Sequence, residues 1–347
     1  MAGETRNRPT VLELCAGGGG QTIGLEDAGF ECVAAVEIEP IACETLKSNR
    51  PMLQVLNEDI RHFDGDRFAE TDVVTAGVPC PPFSVAGKQL GKEDDRDLFP
   101  EVLRIIAKVR PKAVMLENVP GFASAKFSVY RNELLQTLRK LGFEVGFGVL
   151  NASHFGVPQL RPRFVLVGVR KPFAESFSWP IDRSTPLTVG ECLQDLMAEN
   201  GWPGAEAWAR RANNIAPTVV GGSKKHGGPD LGPTRAKLRW RELGVDGLGI
   251  ADAAPSAEFP EHASPKLTVR MVARLQGFPD RWMFAGRKTA AYRQVGNAFP
   301  PPVAAAVGAA IRHALSGFDV HQNRRTDQLL NTALVGERVG STAATVA

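Results

Sequence analysis

Thr10-Val11-Leu12-Glu13-Leu14-Cys15-Ala16-Gly17-Gly18-Gly19-Gly20 decides how the rest of the chain is read. Its first half has the apolar character of a short strand, and its second half is a glycine run. Gln21 to Phe30 then reads as a helix closed at Gly29. Glycines let backbone approach a ligand, and a helix N-terminus presents free N–H donors. Strand, turn and helix together predict a cradle for a nucleotide-like ligand. A second strand, Glu31 to Val36, ends at Glu37. An acid about 20 residues beyond such a turn is placed to bond ribose hydroxyls. Ile38 could pack on a flat ring. Pro40 to Asn49 reads as a helix, and Gln54-Val55-Leu56 as a third strand leading to Glu58-Asp59-Ile60. There Asp59 could bond an exocyclic amine.

A fourth strand, Thr71 to Ala76, runs into Gly77-Val78-Pro79-Cys80-Pro81-Pro82-Phe83-Ser84. The prolines restrict φ and lack donors, so this segment continues neither a helix nor a central strand. It places the Cys80 thiol on a stiff loop at a strand's C-terminal end, where parallel sheets carry their active sites. Taken alone, the cysteine would fit a structural thiol in a turn. Ser84 to Asp97, with Lys88, Gln89, Arg96 and two glycines, is patterned as a mobile lid that closes on an anion. Leu98 to Val109 and Tyr130 to Leu141 read as amphipathic helices. Ala113 to Leu116 is a strand ending at Glu117-Asn118-Val119-Pro120. Glu144 to Leu150 and Phe164 to Val169 are further strands. Between them Gln159-Leu160-Arg161-Pro162-Arg163 offers two guanidinium forks suited to a carboxylate or phosphate. The glycine turn, Glu37, Asp59 and Cys80 all fall at strand ends, which predicts a doubly wound α/β sheet.

Near residue 175 the strand–helix alternation is lost. From Arg210 to Arg241 the cations Arg210, Arg211, Lys224, Lys225, Arg235, Lys237, Arg239 and Arg241 gather, with Asp230 the only acid among them. This reads as a smaller, irregular module with a polyanion-binding face. The net charge of +3 is too small to identify that partner by itself. Helical patterning resumes at Thr268 to Leu275 and in an alanine-rich stretch from Val303 to Leu315. The expected division is a catalytic domain over 10–185, completed by 285–315, and a recognition domain over 186–284. Residues 1–9 and 316–347 read as flexible tails. Cys15, Cys32, Cys43, Cys80 and Cys192 form an odd set without a Cys-x-x-Cys pair. That argues against zinc or a disulfide framework and predicts a cytoplasmic protein. No apolar run suggests a signal peptide or a membrane span.

Taken in order, these motifs resemble the DNA (cytosine-5) methyltransferase family from about residue 11 to residue 310. Leu14 to Gly20 looks like its S-adenosylmethionine-binding motif, Gly77-Val78-Pro79-Cys80 its Pro-Cys motif, and Glu117-Asn118-Val119 its Glu-Asn-Val motif. Gln159-Leu160-Arg161-Pro162-Arg163 is similar to its Gln-x-Arg-x-Arg motif. Leu267 to Arg270 and Gly296-Asn297 resemble the last two motifs, and Ile215 to Val219 resembles an element of the recognition domain. The family usually has Phe where Cys15 stands.

The resemblance implies a Rossmann-like S-adenosylmethionine-dependent domain and covalent chemistry on a cytosine flipped out of duplex DNA. Cys80 would add to carbon 6. Glu117 would bond the ring edge, and Arg161 or Arg163 the base carbonyl and the surroundings of the thiolate. Cys15, Gly17, Gly19, Gly20, Glu37, Ile38, Asp59, Ile60, Gly77, Pro79, Leu98 and Asn297 would line the cofactor site. Ser84, Lys88, Gln89, Arg96, Thr218, Lys224, Lys225, Arg235, Lys237 and Arg239 would meet the DNA. The resemblance further implies a monomer whose functional partner is a cognate restriction endonuclease. A transfer-RNA cytosine methyltransferase shares these motifs. That family carries Cys-Phe-Thr in its recognition region, whereas the only cysteine here past Cys80 is Cys192, followed by Leu193-Gln194. A dinucleotide-dependent oxidoreductase would use the same cradle but leaves Cys80 and Glu117 unexplained.

Overall fold

A computed structural model describes residues 8–79, 97–181, 184–222 and 229–316. Seven strands form one sheet: β1 (Thr10–Leu14), β2 (Glu31–Val36), β3 (Gln54–Leu56), β4 (Val73–Gly77), β5 (Ala113–Asn118), β6 (Phe143–Asn151) and β7 (Pro162–Arg170). Their order is β3-β2-β1-β4-β5-β7-β6. The first five lie parallel, while β7 runs antiparallel to both β5 and β6. The sequence expectation of a doubly wound sheet holds, and the reversed β7 has a direct consequence. Its N-terminal end lies at the same edge as the C-terminal ends of the parallel strands.

Alternating strand residues feed the two faces, as a period of two requires. Leu12 and Leu14 face a core with Val102, Ile105 and Ile106 of α3 (Phe99–Val109) and Leu134, Leu135 and Leu138 of α4 (Ser128–Lys140). Val11 and Val73 face Leu25 of α1 (Gly20–Asp27) and Val303, Val307 and Ile311 of α10 (Pro301–Ser316). The helix over Pro40–Asn49, α2, starts with its proline in the first turn, where no N–H is missed.

The region beyond residue 185 is more regular than its composition predicts. It contains α5 (Val189–Ala198), α6 (Ala205–Arg211), α7 (Thr234–Glu242) and α8 (Val269–Leu275). Thr188 and Glu191 form a capping box on α5. Trp202, Trp208 and Trp240 are buried in one core with Leu193, Met197 and Met271. Exposed arginines blur the helical period of α6 and α7, and each helix is held by a single buried tryptophan. That core is also continuous with Ala16, Ile23 and Leu46 of the first domain. Trp282 supplies part of the seam: its Nε1 donates to the Gly18 carbonyl at 3.0 Å. Before α10 the chain forms α9 (Lys288–Asn297). No described helix is long and apolar enough to cross a membrane.

Candidate active site

The glycine turn is shaped by long-range contacts as much as by its own sequence. Cys15, Gly17 and Gly19 have φ of 53°, 56° and 87°. A Cβ on Gly17 would face open space, while one on Gly19 would lie 2.5 Å from the Trp282 ring and one on Gly20 2.1 Å from the Phe299 carbonyl. The turn is thus braced from behind and open in front. Glu37 closes one side. Its Oε2 accepts from Gly17 N at 2.7 Å and its Oε1 from Glu39 N at 2.8 Å. Each oxygen keeps a lone pair for a hydroxyl. Burial raises the Glu37 carboxyl while these N–H donors lower it.

Next to Glu37, Ile38 is 54% exposed, an apolar side chain left uncovered beside the cradle. Asn57 Nδ2 donates to the carbonyls of both Glu37 and Ile38 at 2.9 Å and holds that corner. Asp59 is half-buried and pairs with Arg61 at 2.6 Å, which holds its carboxyl below the usual range. Ile60 turns into the core beside Phe63 and Phe99. Leu98 stands half-buried just before α3. Asn297 is exposed at the end of α9, where a Cβ on Gly221 would lie 2.6 Å from its Oδ1. Open glycine face, acceptor pair and bare aliphatic surface suit a ligand with a ribose and a flat ring. The Cys15 thiol is pushed well up by burial and by the nearby Glu37, which favours its neutral form.

A second group of residues lies at the ends of β4, β5 and β7. Gly77 is in register with Glu117. Asn118 Nδ2 donates to the Val78 carbonyl at 3.3 Å and fixes the backbone just before Pro79, which is exposed. Arg163 enters from the reversed β7, and its Nε lies 3.0 Å from Glu117 Oε1, both side chains 10% exposed. Arg163 Nη1 donates to the Pro162 carbonyl at 2.9 Å. Burial raises the Glu117 carboxyl above its ordinary value, with Arg163 and then Arg161 opposing. That shift favours the protonated form of the Glu117 carboxyl more than in water.

Arg161 does something different from what its motif suggests. It is fully buried. Its Nη1 donates to the Val219 carbonyl at 2.6 Å, and its Nη2 to those of Gly296 and Ala298 at 2.8 and 2.7 Å. Of the two arginines expected to share the base carbonyl, Arg161 has its fork occupied by three backbone acceptors, while Arg163 stands against Glu117. Gln159 has the same stitching role: Oε1 accepts from Val219 N, and Nε2 donates to Leu275 O and Gln276 Oε1. Thr218 is half-buried, its hydroxyl donating to the Leu160 carbonyl, which leaves its oxygen able to accept. Lys237 pairs with Asp230 at 2.8 Å. Arg235 and Arg239 are exposed on α7 and make no ion pair among the described residues. Cys80, Ser84, Lys88, Gln89, Arg96, Lys224 and Lys225 lie outside the described residues. Sequence reading missed Gln21 and Trp282. An isolated glutamine or tryptophan carries no motif; the fold brings Trp282 to the glycine turn and sets Gln21, which follows it in the chain, against Gly77.

Fold and site together define a Rossmann-like methyltransferase whose cofactor cradle and carboxylate–guanidinium pair share one sheet edge. The chain belongs to the C-5 cytosine-specific DNA methylase family, whose model matches residues 9–313. It is 51% identical over 321 residues to the type II methyltransferase M.NaeI of Lentzea aerocolonigenes, covering 91% of this chain and 78% of that one. It is 50% identical over 309 residues to M.NgoMIV of Neisseria gonorrhoeae, covering 88% and 98%. A solved DNA modification methyltransferase from an E. coli prophage aligns with TM-score 0.62 at 24% identity, covering 88% of this chain and 99% of that one. The S. pombe Dnmt2 methyltransferase aligns with TM-score 0.60 at 20% identity, covering 89% and 100%. At those identities the two structures speak to the fold alone. The cofactor of the family is S-adenosylmethionine, and the cradle around Gly17, Glu37 and Ile38 fits it.

Proposed function

We propose that this chain is the modification enzyme of a type II restriction–modification system, methylating carbon 5 of cytosine in a short duplex site. The observation that carries the reading is the Glu117–Arg163 pair at the end of β5, one strand from the segment that leads to Pro79 and Cys80. Cytosine carbon 5 is a poor nucleophile. Addition of the Cys80 thiolate to carbon 6 moves an electron pair toward carbon 5, while Glu117 gives or shares a proton at ring nitrogen 3. Arg163 Nη2, which has no hydrogen bond among the described residues, is the donor for the base carbonyl. S-adenosylmethionine supplies the electrophilic methyl group. Loss of the carbon 5 proton then expels Cys80 as thiolate and restores the ring. The assignment of Cys80 as the nucleophile rests on its place in the Gly77-Val78-Pro79-Cys80 motif.

The base must leave the stack for this chemistry, at a cost of a few kcal/mol. Ser84, Lys88, Gln89 and Arg96, which follow Cys80 in the sequence, are assigned to offsetting that cost. Residues 186–284 form the recognition domain, with Lys224, Lys225, Arg235 and Arg239 on the DNA side. A companion endonuclease is the functional partner, and the enzyme acts as a cytoplasmic monomer. The test is trapping on 5-fluorocytosine duplexes of varied sequence in the presence of S-adenosylmethionine. An adduct linked to Cys80, absent from Cys80→Ala, is expected. If a broad pool of such duplexes yields no adduct, the reading is wrong.

A further inference from the structure

Gln21 opens the first turn of α1 and is only 4% exposed. Its neighbours are well partnered: Thr22 Oγ1 donates to Glu13 Oε2 at 2.7 Å. Gln21 is not. Its Oε1 is buried without a hydrogen-bond partner, and none of its side-chain atoms bonds to a described residue. A buried amide left in this state is unfavourable, so its persistence points to a ligand.

Its position says which ligand. A Cβ built on Gly77 would lie 3.1 Å from Gln21 Nε2, 3.4 Å from the Cys15 carbonyl and 3.8 Å from Glu117 Oε2. Gly77 therefore leaves a polar slot bounded by the Gln21 amide on α1 and the Glu117 carboxyl on β5. Glu117 uses Oε1 for Arg163, so Oε2 is the oxygen that faces this slot. The slot lies between the cofactor cradle and the candidate catalytic carboxyl, three residues before Cys80.

We propose that Gln21 is a positioning residue for methyl transfer: with Glu117 Oε2 it holds a water molecule over Gly77 that fixes the orientation of the Glu117 carboxyl. A bridging water costs little entropy and replaces a direct hydrogen bond almost fully. Gln21 touches no reacting atom in this scheme. It acts through Glu117, so the proposal rests on the function given above.

The test compares wild type with Gln21→Leu and Gln21→Glu. Gln21→Leu lowers kcat about tenfold, the worth of one hydrogen bond near a charge, while KM for duplex DNA and the Kd for S-adenosylhomocysteine stay within twofold. Its thermal midpoint is unchanged, since the Gln21 side chain bonds no described residue. Gln21→Glu keeps an acceptor for the water and recovers part of the lost kcat. A high-resolution crystal structure of the ligand-free enzyme shows a water bonded to both Gln21 and Glu117. A Gln21→Leu enzyme with unaltered kcat, or a slot without that water, overturns the proposal. A wild-type enzyme that methylates no duplex would instead refute the function on which it rests.

Discussion

Arg163 Nε sits 3.0 Å from Glu117 Oε1, across two antiparallel strands that leave both groups nearly buried. In the proposed reaction the pair links the carboxyl that gives or shares a proton to the guanidinium that meets the base. Burial raises Glu117 and Arg163 lowers it, with burial the larger effect. Because the reaction uses the protonated or proton-sharing carboxyl, its activity is lost as pH rises through the Glu117 pKa. Glu117→Gln keeps a partner for Arg163 but cannot transfer a proton. Turnover is expected to fall about a hundredfold or more, and the alkaline limb of the kcat–pH profile assigned to Glu117 disappears.

The two arginines of the same motif separate by readout. Arg161→Met leaves three buried carbonyls without their donor, each worth about 1–3 kcal/mol. It is expected to lower the melting midpoint by several degrees and to loosen residues 216–219 from α9, measured by hydrogen exchange. Arg163→Lys keeps the charge but loses the fork. It is expected to melt near wild type while turnover falls at least tenfold.

Glu13 is fully buried in β1, accepts from Thr22, and is pushed up to about 8 by its burial. Its folded pKa exceeds its unfolded one, so the folded state binds that proton more tightly. Stability is therefore lost as pH rises from the ordinary carboxylate range toward 8. Glu13→Gln removes this dependence and is expected to raise stability at pH 8 by on the order of a few kcal/mol. Denaturant titrations at pH 5 and pH 8 check it. Equal gains at both pH values would contradict the assignment.

On α7, Arg235 and Arg239 are expected to contribute counterion release on DNA binding, and the already paired Lys237 much less. Replacing both arginines by alanine should flatten the slope of log K against log salt by roughly 2. Lys237→Ala should change it by well under 1. A double variant with the wild-type slope would place that face of α7 off the phosphates.

The amino-acid order by itself determined the strand–glycine–helix opening and the Glu117 strand end, and it marked Glu37 as the candidate cofactor acid. Each depends on neighbours within one turn or one strand: glycine freedom, proline stiffness, hydrophobic period. Tertiary structure decided what depends on distant partners. It turned β7 around so that Arg163, not Arg161, meets Glu117. It built helices on single tryptophans where the composition looked irregular. It set Gln21 against Gly77 and Trp282 against Gly18. Two identical guanidinium groups two residues apart cannot be told apart locally. The carbonyls that occupy one of them come from residues 58 to 137 positions away, and only the folded chain brings those acceptors within reach.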